Sequence, residues 1–237
     1  MNTNKSYLLI GNSRWHWATK KNDTWHFSHT KPNPKQIEAL AMSLDAWAAV
    51  GPIPNNVSLN PNKRLNIKDI PLKNSPPWLG IDRALAGWGA FIKAKAAGVH
   101  TSGLLVADAG TVLSLNRITA SGEFDGGQLI PGLQLQLTSM SNGAKNLQSQ
   151  PFKPSHKPEL FPFKTDEAMQ RGCLQALVGT ILEAKRQTKM PLWLCGGDAP
   201  VLINELIQRS VDLKHHPNLV LEGMVAIQNQ INSNPNH

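Results

Sequence analysis

The hydrophobic pattern begins with a short strand, Tyr7 to Ile10, which breaks at the tight turn Gly11-Asn12-Ser13 and returns from Arg14 to Ala18. A polar turn at Lys20 to Asp23 leads into a third strand around Trp25 to Ser28. From Pro34 to Val50 the apolar positions Ile37, Leu40, Ala41, Leu44 and Ala48 recur at helical spacing and predict a helix. The prolines between Gly51 and Trp78 predict short strands and loops. Ile81, Leu85, Trp88 and Ile92 then share one helix face, and Gly98 closes that helix.

A second unit of the same kind follows. Leu104 to Ala107 reads as a buried strand, Asp108-Ala109-Gly110-Thr111 as its turn, and Val112 to Ile118 as the return. Ser121-Gly122 turns the chain into a strand reaching Ile130, which Pro131-Gly132 ends ahead of a helix. Residues 151–164 form a loop rich in Pro and Lys, including Pro154, Pro158 and Pro162. A long helix runs from Thr165 to about Lys185, and a strand from Leu192 to Leu194 enters Gly196-Gly197-Asp198-Ala199. A helix over Pro200 to Arg209, a strand near Leu219 to Leu221 and a helix from about Gly223 complete the pattern. The stretch Leu9-Ile10-Gly11-Asn12 occupies the place in its hairpin that Asp108-Ala109-Gly110-Thr111 occupies in the other. Two strand-rich halves, each with helices, predict a two-lobed α/β protein with a cleft between domains at residues 1–100 and 101–237.

Composition narrows the function. A length of 237 residues allows one or two domains. The apolar run at Tyr7 to Ile10 is too short for a signal peptide or a membrane span, so no membrane partner is expected. Cys173 and Cys195 lack CxxC spacing and read as reduced core thiols of a cytoplasmic protein. The net charge of +8 is scattered, with Lys20-Lys21 and Lys63-Arg64 as its densest pairs. That distribution argues against a nucleic-acid partner and suits an enzyme whose substrates are anions.

Chemistry concentrates at glycine turns that follow apolar strands: Gly11-Asn12-Ser13, Asp108-Ala109-Gly110-Thr111 and Gly196-Gly197-Asp198-Ala199. Glycine lets backbone amides approach phosphate oxygens, and the hydroxyls of Ser13 and Thr111 add donors. None of these turns is a GxxxxGK[ST] or GxGxxG motif. At the start of the clear helix stands Gly80-Ile81-Asp82-Arg83. Asp82 can take the proton of an alcohol, and the planar fork of Arg83 can grip an anionic acceptor. Other residues have plainer readings. Trp15, Trp17 and Trp25 alternate on the first hairpins as packing residues. His16, His26 and His29 read as surface or hairpin positions, His215-His216 as a loop pair, and Asp125 as a turn former.

In order along the chain, Gly11-Asn12-Ser13-Arg14, Gly80-Ile81-Asp82-Arg83, Asp108-Ala109-Gly110-Thr111, Gly126-Gly127-Gln128-Leu129-Ile130-Pro131-Gly132 and Gly196-Gly197-Asp198-Ala199 resemble the motif set of type III pantothenate kinases. The resemblance implies two ribonuclease-H-like domains of the actin-like ATPase kind, a homodimer, and ATP-dependent phosphorylation of pantothenate, the first step toward coenzyme A. It implies Asp82 as proton acceptor, with Gly80, Ile81, Asp82, Arg83 and Thr165 on pantothenate. For ATP it implies Leu9, Ile10, Gly11, Asn12, Ser13, Arg14, Trp15 and His16 around the phosphates, Thr111 in contact, and Gly196 and Gly197 against the adenosine. Asp108 would hold a monovalent cation, K⁺ or NH₄⁺, beside the Mg²⁺ that accompanies ATP. One position departs: the family's first motif reads DxGNT, and Leu9 stands where its Asp belongs. Leucine cannot ligate Mg²⁺. Two other readings stay open on these residues: an accessory or regulatory homologue of the same fold, and an actin-like kinase for another small hydroxy acid or sugar.

Overall fold

The computed structural model describes residues 4–55, 57–148, 150–153 and 159–233. Pro154 and Pro158 of the loop at 151–164 lie outside these. The chain packs as two compact units. The first takes the residues up to Gly98, Ser121–Phe124, and the chain from Asn218 onward. The second takes Val99–Ala120 and Asp125–Pro217.

In the first unit, β1 (Lys5–Ile10) pairs antiparallel with β2 (Trp15–Lys21), which pairs antiparallel with β3 (Thr24–Thr30). Asn22 and Asp23, both at positive φ, make the tight turn between β2 and β3. The expected helix over Pro34 to Val50 is shorter. It is α1 (Pro34–Leu40), with the side chain of Asn33 capping Gln36 N–H, followed by one 3-10 turn at Ala41–Ser43. Ala46–Ala49 is instead strand β4, parallel to β1. Its apolar run fits a buried parallel strand as well as a helix, and pairing with β1 decides between them. The sheet order is β3-β2-β1-β4.

Register places Trp17 opposite Leu8 and Trp15 opposite Ile10, and these four pack with Ile37, Leu44 and Trp47 into one core. Trp25 does not join them. It sits opposite Lys20, on the other face of the sheet, with its ring 5.1 Å from that of Tyr7. Between Gly51 and Trp78 the chain forms two 3-10 turns, Pro61–Lys63 and Ile67–Asp69. Helix α2 (Ile81–Ala96) follows, with Gly98 at φ +69° just beyond it.

Leu219 to Leu221, expected as a strand, opens the final helix, Leu219–Ser233. That helix packs on α2 within the first unit, so the expected cut at residue 100 does not describe this packing. Glycines make the close crossing possible: a Cβ on Gly223 would collide with the carbonyl of Leu85, and one on Gly89 with the carbonyl of Leu219.

The second unit repeats the plan. β5 (Leu104–Ala109) pairs antiparallel with β6 (Val112–Ile118), which neighbours β7 (Phe124–Pro131). Asp108 and Ala109 thus end the strand, and the turn proper is Gly110-Thr111. Helices α3 (Leu133–Gly143) and α4 (Thr165–Thr188) precede β8 (Leu192–Cys195), which runs parallel to β5. Helix α5 (Ala199–Ile207) leads to β9 (Leu213–His215), parallel to β8, a strand the sequence pattern did not predict. The order β7-β6-β5-β8 reproduces β3-β2-β1-β4, with β9 added at the edge. His215 therefore lies in a strand, and the His216 ring stacks on Trp193 at 4.8 Å. Asp125 is a strand residue paired with Arg117 at 2.8 Å, not a turn former.

The core of the second unit gathers Leu105, Leu113, Leu177, Val178, Ile181 and Leu194. Beside it, Glu205 is buried between Arg171 (2.6 Å) and Arg209 (2.7 Å), tying α4 to α5. Among the described residues, no helix is long and apolar enough to cross a membrane.

Candidate functional site

In the first unit backbone hydrogen bonds close the turn after β1. Ile10 O accepts from Val50 N–H (2.9 Å) and Gly51 N–H (3.1 Å), and Gly11 N–H donates to Arg14 O at 3.0 Å. Gly51, at the exit of β4, lies so close over Gly11 that a Cβ there would strike the Gly11 carbonyl. Asn12, Ser13 and Arg14 are exposed at the tip. Ile10 and Trp15 turn their side chains into the core.

Leu9 is 3% exposed, opposite His16 on β2 and beside Ala48 on β4. His16 in turn sits opposite His29 on β3. Their Nδ1 atoms are 2.7 Å apart, and His29 Nε2 lies 2.9 Å from Asn218 Oδ1. Burial, with the nearby charges of His29 and Arg14, pushes His16 down to about 4, so it is neutral at pH 7.

Gly80 is the N-cap of α2, and Asp82 lies in its first turn. Asp82 Oδ1 accepts the Arg83 N–H at 2.8 Å, and Gly80 is pressed so closely that a Cβ there would lie 2.7 Å from the same oxygen. Burial raises Asp82 above the usual carboxylate range, against the pull of the Arg83 N–H and guanidinium. The Arg83 guanidinium stands 5.5 Å from the Phe124 ring. Ile81 is buried. Gly80 and Ile81 also line a cavity of about 790 Å³ that includes Arg64, Lys68, Asn66, Asn74 and Ser75.

The second unit brings its own candidates together at one end of its sheet. Asp108, half-buried at the end of β5, has Ser114 of β6 opposite on one side and Cys195 of β8 on the other. Asn116 is fully buried and donates from Nδ2 to Ser114 Oγ at 3.2 Å. Gly132 N–H donates to Thr111 O, and Asp198 N–H to Ala109 O, both at 2.9 Å. Gly196, at φ +94°, crosses Ala109 as Gly51 crosses Gly11. Asp108, Thr111, Gly196 and Gly197 therefore lie at the same end of this sheet, whereas Thr165 opens α4 as an exposed residue.

Sequence reasoning missed Ser114, Asn116, His29 and Asn218. The first two were detectable as polar residues at alternate positions of an apolar strand. His29 and Asn218 join His16 only through strand register and the placement of the final helix.

The sequence profile of the type III pantothenate kinase family matches residues 60–187. A type III pantothenate kinase of Thermosynechococcus vestitus is 31% identical, over 94% of this chain and 89% of its own. That of Synechococcus elongatus is 29% identical, over 96% and 98%. Among solved structures, one from Campylobacter jejuni, described as a conserved putative Baf family transcriptional activator, superposes at a TM-score of 0.65. It is 20% identical and covers 98% of this chain and all of that one. The activator of 2-hydroxyisocaproyl-CoA dehydratase from Clostridium difficile, with bound ADPNP, superposes at 0.57, with 10% identity over 99% and 98% of the two chains. A ROK family glucokinase from Streptomyces griseus, with glucose and AMPPNP, reaches 0.52 at 10% identity over 96% and 100%. These structural likenesses give the fold: mixed α/β, with the two sheets of actin-like ATPases and sugar kinases.

Proposed function

The chain belongs to the type III pantothenate kinase family, and from that membership we propose how its own residues act. It is an ATP-dependent kinase that phosphorylates pantothenate on the route to coenzyme A. The observation that carries the mechanism is Asp82, a carboxylate raised by burial at the first turn of α2 and fixed by the Arg83 N–H. A base of raised pKa is a better proton acceptor. In the reaction the primary hydroxyl of pantothenate gives its proton to Asp82 while its oxygen attacks the γ-phosphorus of ATP. The bond to the β–γ bridging oxygen breaks and ADP leaves. Arg83 grips the pantothenate carboxylate, and Gly80 and Ile81 open onto a cavity within the range of small-ligand sites. Thr165 adds a further polar contact to pantothenate.

For ATP, the reading assigns the phosphates to the backbone and polar tips of Leu9 to His16 and to Thr111, with Gly196 and Gly197 against the adenosine. Among the described residues no group of three or more His, Cys, Asp or Glu could hold a metal. We take the divalent ion to be carried mainly by nucleotide phosphates and water. When bound, it neutralises charge developing on the phosphates. The monovalent cation, K⁺ or NH₄⁺, is assigned to Asp108 at the end of β5. Exposed Leu129, Leu160, Phe161 and Phe163 support a homodimer.

Product mass tests the function: phosphopantothenate is expected from purified protein with ATP, Mg²⁺, K⁺ and pantothenate, and its absence at high enzyme would overturn the reading. Asp82→Asn should lower kcat about 10²-fold or more. A raised pKa in the fold means that ionising Asp82 costs stability as pH rises through that value. Asp82→Asn should therefore leave Tm at pH 7 unchanged or higher.

A further inference from the structure

His16 presents a lone pair whose direction is fixed by a chain of hydrogen bonds. Asn218 Oδ1 can only accept, so His29 carries its proton on Nε2, 2.9 Å away. With its proton on Nε2, His29 offers the lone pair of Nδ1, and His16 Nδ1, 2.7 Å away, supplies the proton. His16 Nε2 is left bare. It lies along the phosphate-holding turn, 3.1 Å from where a Cβ on Gly11 would stand. Opposite it on β1 is Leu9, which brings no charge, while Asp108 holds the equivalent place in the second unit. A bare imidazole nitrogen repels a phosphate oxygen but attracts a metal ion or the O–H of a water bound to one. Metal-binding histidines have their other ring nitrogen donating to a fixed acceptor, as His16 has.

We infer that His16 Nε2 is the contact by which the first turn recognises the divalent cation of a metal–nucleotide complex, directly or through a metal-bound water. His29 and Asn218 are positioning residues that hold its tautomer. This rests on the reading of Leu9 to His16 as the nucleotide segment. It makes the turn selective for metal-chelated over free nucleotide. It also favours Mn²⁺ over Mg²⁺, because imidazole suits the later metals better than a hard, oxygen-preferring ion.

Titration calorimetry of AMPPNP into the full chain, in EDTA, in Mg²⁺ and in Mn²⁺, tests it. In the unsubstituted protein the metals should tighten binding, Mn²⁺ more than Mg²⁺. In His16→Ala the metal-dependent tightening, the ratio of AMPPNP affinity with metal to that in EDTA, should fall about tenfold. His29→Ala and Asn218→Ala should lose part of the same quantity, which a purely structural role would not move. His16→Gln, whose amide oxygen is still an acceptor, should keep part of it, and serves if His16→Ala does not fold. Metal-dependent tightening equal to the parent's in the His16 variants overturns the inference and leaves the nucleotide reading standing. No AMPPNP binding by the unsubstituted protein overturns that reading and the inference with it.

Discussion

The two glycine turns share a backbone and differ in what it carries. Each follows a strand paired antiparallel to its successor and parallel to a later strand, β4 in one case and β8 in the other. In each, a glycine from that later strand's exit crosses the first strand's last carbonyls, Gly51 over Gly11 and Gly196 over Ala109. The contents diverge at the equivalent side chains. The first turn has Leu9 and a histidine chain, the second Asp108 above a buried Ser114–Asn116 pair. The scaffold is thus set by backbone crossings that tolerate no side chain, and the chemistry by side chains the scaffold does not constrain.

Removing the shared element has the largest expected effect. Gly196→Ala drives a Cβ into the Ala109 backbone and forces a positive φ on alanine, and should cost more than about 4 kcal/mol or abolish folding. Gly51→Ala meets the same collision without the φ penalty and should cost somewhat less, about 3 kcal/mol. Urea denaturation followed by circular dichroism ranks the two, and a parental midpoint for either would show that the crossings do not close the turns.

Exchanging the contents comes next. Leu9→Asp buries a carboxylate and should destabilise by about 3–5 kcal/mol at pH 8. The cost should shrink near pH 5.5, where His16 opposite the new carboxylate can take a proton and pair with it. A cost independent of pH would mean that His16 does not face position 9. In the second turn Asp108→Ala should act on turnover instead, by about a hundredfold, with loss of the K⁺ dependence. Rates in Na⁺ and K⁺, for parent and variant, measure both effects.

How far these features could be read from the chain follows from what sets them. The hairpin strands, α2 and α4 were legible because period and turn chemistry are local, as at Asp23 and Gly98. The motif at Gly80 to Arg83 was legible as a helix start with an acid in its first turn. Ala46 to Ala49 was misread because a buried parallel strand and a helix share one apolar run, and only pairing with β1 separates them. Leu219 to Leu221 failed for the same reason, since packing against Gly89 settles it as helix. The His16–His29–Asn218 chain was beyond local reading: His29 and Asn218 are 189 apart in sequence.

The smallest expected effect concerns that chain. His16 is held near 4 in the fold and near 6.5 when unfolded, so the unfolded state binds the extra proton between those values. Stability is therefore lost as pH falls from about 6.5 to about 4. His16→Gln should flatten this slope by about 1–2 kcal/mol, allowing for solvent at a half-buried ring. Thermal melts at several pH values decide it, and an unchanged slope would assign the acid sensitivity elsewhere, with Glu205 and its arginines the next group to substitute.

The return of the final helix to α2 has a consequence for synthesis. A ribosome delivers β1 to α2 first and then the whole of Val99–Pro217, before the helix that carries Gly223 and crosses α2 at Gly89. The inserted unit can complete its own core while the earlier one still waits with its α2 groove open. The first unit thus closes through contacts between residues more than a hundred positions apart, a long-range pairing that slows folding. Until the last turn of that helix emerges, Leu85 and its neighbours offer apolar surface to chaperones, so ribosome-bound chains stalled short of Asn218 should be the protease-sensitive ones in their first ninety-odd residues.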